Sequence, residues 1–187
     1  MGLISTDESE RPYIGFSGNA RLDASVTNPD ILFADAVDRL GTSGSGTEKT
    51  FLPILRALRD DPTFLRTSVP LAIIMVTDAE EQSGISATDF IRDLAGLTAG
   101  KNIFSYGVFA SKDFGCQSDE GARNYKGSPY EAFINSTFIG QHYPLCKNFG
   151  TSLANISHDI VTRVAHNAIY LSSLPDVSTL RVLYNNA

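Results

Sequence analysis

Two kinds of apolar pattern alternate along the chain. The first is the short continuous run. Residues 71–76, Leu-Ala-Ile-Ile-Met-Val, are apolar throughout and rich in β-branched side chains. Such a run predicts a strand covered on both faces, as in parallel sheets. A second strand is expected over 102–110, carried by Ile103, Phe104, Tyr106, Val108 and Phe109, and a shorter one near 141–145. The second pattern has helical spacing. Phe51, Leu52, Leu55 and Leu58 share one face of a helix expected over 48–59, with Pro53 near its first turn, where a missing N–H costs little. Ser86 opens another helix, with Asp89 as its capping-box partner and Phe90, Ile91, Leu94 and Leu97 facing inward. Ser128-Pro129-Tyr130-Glu131 is a further capping box and predicts a helix to about 139. Thr151 or Ser152 caps a last helix that turns Leu153, Ile156, Ile160, Val161 and Val164 inward.

The ends of the chain are less regular. Residues 1–6 read as a short buried strand, and 13–16 and 22–26 as strand pieces. Asn28-Pro29 carries helix-start chemistry for a helix over 31–40, ended by Gly41. A glycine-rich polar loop follows, and 169–171 and 180–183 are a final pair of strand candidates. Strands alternating with amphipathic helices predict a three-layer α/β fold, Rossmann-like, with a mostly parallel sheet flanked by helices. In such folds ligands sit at the carboxyl ends of the strands, which makes Asp78 the first candidate for chemistry.

Composition narrows the function classes. A chain of 187 residues, 42% hydrophobic and 19% charged, suits one packed domain with a little left over. Its net charge of −6 makes it a poor partner for nucleic acid or an anionic membrane surface. The longest apolar run is the six residues 71–76, against about 20 for a membrane-spanning helix. The opening Met1-Gly2-Leu3-Ile4 passes straight into Ser5-Thr6-Asp7 and has no signal-peptide pattern.

Several chemistries are testable against the residues. Gly41-Thr42-Ser43-Gly44-Ser45-Gly46-Thr47-Glu48-Lys49-Thr50 invites a phosphate-loop reading, with Asp78 as a metal-side acid. Lys49-Thr50 fits its end, but Ser43 and Glu48 stand where the glycines belong, and a carboxylate there repels phosphate. His142, His158 and His166 occur without a nucleophile elbow. Cys116 and Cys146 show no metal-binding spacing and are either two separate thiols or one disulfide. A bond between them would stabilise the fold by about 3–4 kcal/mol in the chain-entropy model and place the chain in an oxidising compartment. Asp78, Glu80 and Glu81 are either a solvated acidic loop or, with Thr47, part of a site for a hard cation.

Gly46-Thr47 before an amphipathic helix, followed by an apolar strand ending Val76-Thr77-Asp78, resembles the second and third metal motifs of a von Willebrand factor A domain. The longer run from Gly41 to Lys49, with Phe64-Leu65-Arg66 before the strand and Asp78-Ala79-Glu80-Glu81-Gln82-Ser83 after it, is similar to a bacterial, cell-envelope branch of that family. The resemblance spans residues 1–171 and leaves 172–187 as a linker and the start of a following segment. It implies a non-catalytic protein-binding or adhesion module of an exported protein. It implies Mg²⁺, Mn²⁺ or Ca²⁺ bound through Thr47 and Asp78 at a metal-ion-dependent adhesion site, and a protein ligand. It also implies that Cys116 and Cys146 are paired.

The family's first motif, D-x-S-x-S, has no counterpart. Thr42-Ser43-Gly44-Ser45 mimics its tail, but Gly41 stands where the Asp belongs. The resemblance therefore implies a domain lacking its central first strand, with weak metal binding. The gap would fall between the strands at 1–6 and 71–76, leaving Leu3, Ile73 and Met75 short of packing partners. A nucleotide-dependent α/β enzyme using Lys49, Thr50 and Asp78 is the alternative reading, and a structural domain with a defunct metal site is a third.

Overall fold

The apolar run at 71–76 forms β1 (Leu71–Thr77), and its neighbours are β2 (Ile103–Phe109) and β3 (Ile139–Pro144). A computed structural model describes residues 1–7, 15–16, 21–40, 46–67, 69–110 and 128–165. Within those residues the sheet is ordered β1-β2-β3, and both pairings are parallel. Leu71 aligns with Ile103, and Phe104 with Ile139. Two right-handed crossovers are the expected way to connect parallel neighbours. The connections here contain α3 (Ala87–Thr98) between β1 and β2 and α4 (Pro129–Ser136) between β2 and β3. The remaining helices are α1 (Pro29–Leu40), α2 (Phe51–Asp60) and α5 (Phe149–Ala165). The α/β layering expected from the sequence is present. The strand candidates at 169–171 and 180–183, loop residues 41–45, Cys116 and His166 lie outside the described residues.

The sheet's two faces are packed differently. Leu71, Ile73, Met75 and Phe109 meet α2, α3 and α4 through Phe51, Leu55, Phe90, Leu94, Phe133 and Ile134. The middle of this layer is aromatic. Phe51 stacks on Phe90 with centroids 4.1 Å apart, and Phe133 meets Phe90 edge-on at 4.9 Å. These offset and edge-to-face contacts add to the area buried. On the opposite face, Phe104, Tyr106 and Val108 pack against Ile156 and Ile160 of α5. Asp159 of α5 fixes that contact: its Oδ2 accepts from Tyr106 Oη and from Arg163 Nε, each at 2.7 Å. The Arg163 guanidinium beside it holds the Asp159 carboxyl below the usual carboxylate range. Burial, then the Asp159 carboxylate, pushes the Tyr106 hydroxyl up.

Three expectations are corrected. Residues 1–7 do not join the sheet. Leu3 is drawn to a separate cluster with Phe16, Leu22 and α1's Ala36, while Ile4 packs on the main core. Among the described residues the segment makes isolated bridges, one of them antiparallel between Asp7 and Glu48. Next, Ile73 and Met75 are buried, because α2, α3 and α4 cover their side of the sheet. The large apolar residues of β1 left uncovered are Ile74 and Val76, 46% and 45% exposed, on the face where α5 packs over β2 and β3. Finally, Leu153, Val161 and Val164 of α5 are exposed, since only the Ile156 and Ile160 stripe reaches the sheet. Smaller differences are local: residues 22–26 form a turn, Glu48 precedes α2 rather than opening it, and α4 ends at Ser136, before Ile139 starts β3.

Gly140 in β3 marks the closest approach of sheet and helix. A Cβ there would meet the carbonyl oxygen of Ile134, a backbone atom that has no alternative rotamer. Gly140→Ala is expected to cost about 1–3 kcal/mol through overpacking. Gly96, exposed within α3 with open space at its Cβ position, gives the opposite expectation. There, Ala should stabilise by about 0.5–1 kcal/mol through helix propensity. Thermal or urea melts of both variants check the pair, and a Gly140→Ala protein as stable as the parent contradicts the packing described.

Candidate functional site

The carboxyl end of β1 lies against the start of α2. Sequence dictates why the two meet. The last buried side chain of β1 is Thr77, the first polar one in a run of apolar positions, and the helix opposite begins with Thr50 and Phe51 buried in the core. A polar seam is left where the apolar packing stops. It is filled by side chains from residues 46–50 on one side and 77–83 on the other.

Glu48 joins the two segments. Its Oε2 accepts from Thr77 Oγ1 at 2.8 Å, and its carbonyl accepts from the Gln82 N–H at 3.0 Å. Lys49 N–H donates in turn to the Thr6 carbonyl at 2.8 Å, so the N-terminal residues hold the same segment from its other edge. Glu81 reaches the helix itself. Its Oε2 accepts from the N–H groups of Thr50 (2.9 Å) and Phe51 (3.1 Å), and its Oε1 accepts from Ser83 N–H at 2.6 Å. Ser83 Oγ accepts from Leu52 N–H at 3.1 Å. The first-turn donors that a helix leaves unsatisfied are thus met from a loop distant in sequence. Behind them Tyr130 of α4 shares a hydrogen bond with Thr50 Oγ1 at 3.1 Å, and burial pushes the Tyr130 hydroxyl's pKa up, so that it stays neutral.

Thr47 and Asp78, the two expected metal ligands, fall on these two stitched segments, and both are exposed at the rim of the seam. Asp78 makes no hydrogen bond or ion pair among the described residues, unlike the engaged Glu48 and Glu81. No group of three or more His, Cys, Asp and Glu that could hold a metal ion occurs among the described residues. The hydroxyl and carboxylate donors that the exposed positions of the two segments offer are those of Thr47 and Asp78, with Glu80 on the same loop. That set suits a hard cation keeping most of its waters, and not a closed protein cage.

The other sequence candidates stay apart. Lys49 and Thr50 sit beside α2's N-terminus, but the position a phosphate would take on its N–H groups is occupied by the Glu81 carboxylate. His142 is on β3, stacked on Phe109 on the α4 side of the sheet, whereas His158 is exposed on α5, across the sheet. Cys146, in the turn after β3, is disulfide-bonded, while Cys116 lies outside the described residues. No helix among the described residues is long and apolar enough to cross a membrane. Sequence reasoning missed the roles of Glu48, Thr77, Glu81 and Ser83. Hydrogen bonds between segments some thirty residues apart leave no periodic signal; only the unusual density of polar residues around a strand end pointed to them.

The Thr77 bond to Glu48 is testable by an isosteric change. Thr77→Val keeps the shape and removes the donor, leaving the Glu48 carboxylate short of a partner. A loss of about 1–3 kcal/mol is expected. In a double-mutant cycle with Glu48→Ala, the two effects should fall short of additivity, because both remove the same contact. Full additivity contradicts the clasp.

Compared with known proteins, the chain matches no family model, no curated protein and no solved structure.

Proposed function

We propose that the chain is a divalent-cation-dependent protein-binding module of the von Willebrand factor A type, with Thr47 and Asp78 as two of the cation's ligands. The observation that carries the reading is the pairing of the two segments. Glu48 and Glu81 hold residues 46–50 against 77–83, so the hydroxyl of one and the uncommitted carboxylate of the other sit on neighbouring loops at the carboxyl end of a parallel strand. Ligand sites of α/β sheets are built at that end. A cation held by few protein atoms retains open positions, and an acidic group of a partner protein can complete its shell. That is binding chemistry, with no bond made or broken by this chain. A disulfide between Cys146 and Cys116 would accord with export to an oxidising compartment.

The nucleotide-dependent alternative has less behind it. A phosphate on α2's N-terminus would have to displace a carboxylate that already satisfies two backbone N–H groups. Like charge between Glu48, Glu81 and a polyphosphate adds to that cost. A structural domain without ligand remains the reading to which a negative metal result would lead.

Mn²⁺ titration, followed by the loss of free-ion paramagnetic resonance signal, tests the proposal. Weak saturable binding is expected, competed by Mg²⁺, abolished by Asp78→Ala and weakened by Thr47→Ala. Asp78→Ala should melt as the parent does, since that side chain is exposed and makes no hydrogen bond or ion pair among the described residues. Absence of saturable binding, or binding that survives Asp78→Ala, contradicts the reading.

A further inference from the structure

We infer that Glu81 is the positioning residue of this site: its carboxylate serves as a built-in anion at the N-terminus of α2 and thereby fixes the Asp78 loop beside the Thr47 segment. The part of the inference that concerns the cation rests on the function proposed above; the part that concerns the anion does not.

Thr50 precedes α2, yet its side chain makes no capping bond. Its hydroxyl is turned instead toward Tyr130. The first turn of α2 also contains no acidic residue, so nothing local answers the positive end of the helix dipole. By contrast, α3 and α4 are capped in place, by Ser86 and Ser128 accepting from the N–H groups of Asp89 and Glu131. Of these three helices, the one without a side-chain cap of its own is the one whose start forms the candidate site.

Glu81 supplies what is missing, from a segment some thirty residues on. One carboxylate oxygen takes the Thr50 and Phe51 N–H groups, and the other takes Ser83 N–H. The side chain therefore works in two directions. It satisfies the helix, and it folds residues 81–83 back so that Ser83 Oγ meets Leu52 N–H and Gln82 N–H meets the Glu48 carbonyl. Asp78 enters this folded loop directly from β1. Releasing Glu81 would free the loop from the helix end while leaving the aromatic core, which holds α2 through Phe51, in place. A charge-assisted cap of this kind is also specific for an anion, which a packing contact is not.

The experiment uses the full chain with Glu81→Ala and Glu81→Gln. Thermal melts are run in sodium sulfate and in sodium chloride at matched ionic strength. Glu81→Ala should lower Tm by about 2–6 °C. Sulfate, taking the emptied position, should recover at least half of that loss beyond any gain it gives the parent. Glu81→Gln, which keeps an acceptor without the charge, should fall between. Amide exchange at Gln82 should accelerate by about tenfold in Glu81→Ala, reporting release of the loop whether or not a cation binds. Mn²⁺ affinity should fall in the same variant. Unchanged melting, no sulfate-specific recovery, or unchanged Gln82 exchange overturns the inference. If sulfate recovery and faster exchange are seen but the parent itself binds no Mn²⁺, Glu81 positions the loop as argued and the cation reading alone fails. If the parent binds Mn²⁺ and Glu81→Ala binds it equally well, the positioning role is wrong while the cation reading stands.

Discussion

The start of α2 has three backbone donors to satisfy, the N–H groups of Thr50, Phe51 and Leu52, because Pro53 carries none, and no capping side chain of its own meets them. The site's architecture follows from that deficit. The Glu81 carboxylate and the Ser83 hydroxyl cross from the loop after β1 to close it. Once they do, residues 77–83 cannot lie elsewhere, and Glu48 is brought within reach of Thr77 and Gln82. Thr47 and Asp78 then project from adjacent segments because their immediate neighbours are tied together. The chemistry proposed for the seam depends on this arrangement of acceptors more than on either candidate ligand.

Beneath the seam the aromatic layer supplies rigidity. Phe51, Phe90, Phe133 and Tyr130 come from three helices and pack around one another above β1 and β2. Phe51 and Tyr130 belong to both systems. Phe51 gives its backbone N–H to Glu81 and its ring to the core, and Tyr130 gives its hydroxyl to Thr50 and its ring to Phe51 and Phe109. Polar positioning and apolar packing therefore share residues. On the other side, α5 is pinned over β2 and β3 by Asp159, and the Ile74 and Val76 strip of β1 is left open. A continuously apolar strand at the edge of the described sheet is unusual, since such runs are normally covered on both faces.

Much of the fold was legible in the sequence because its signals are local. The apolar run of β1, the capping boxes at Ser86 and Ser128, and the helical spacing of Phe90 and Leu94 each appear where the pattern places them. Alternation of the two patterns was enough to indicate a parallel sheet between helices. The errors came where a local pattern met a non-local choice. Leu3 and Ile4 read as a strand but are drawn to two different clusters. Val161 and Val164 read as an inner face of α5, but α5 meets the sheet through its Ile156 and Ile160 stripe, which leaves both valines exposed. Of the site, Thr47 and Asp78 were visible through their motif positions. Glu81 was visible only as one acid in a short acidic run, because its role depends on a helix end whose N-cap residue, Thr50, turns its hydroxyl to Tyr130 instead of capping.

The central claim is that this seam gathers Thr47 and Asp78 around one hard cation. Diffraction from crystals soaked in Mn²⁺, collected at a wavelength with strong manganese anomalous scattering, tests it directly. The account predicts a single anomalous peak at the carboxyl end of β1, bounded by Thr47 Oγ1 and an Asp78 carboxylate oxygen, and lost in Asp78→Ala crystals. No peak at that end of the sheet, or a peak there that survives removal of the Asp78 carboxylate, would contradict it.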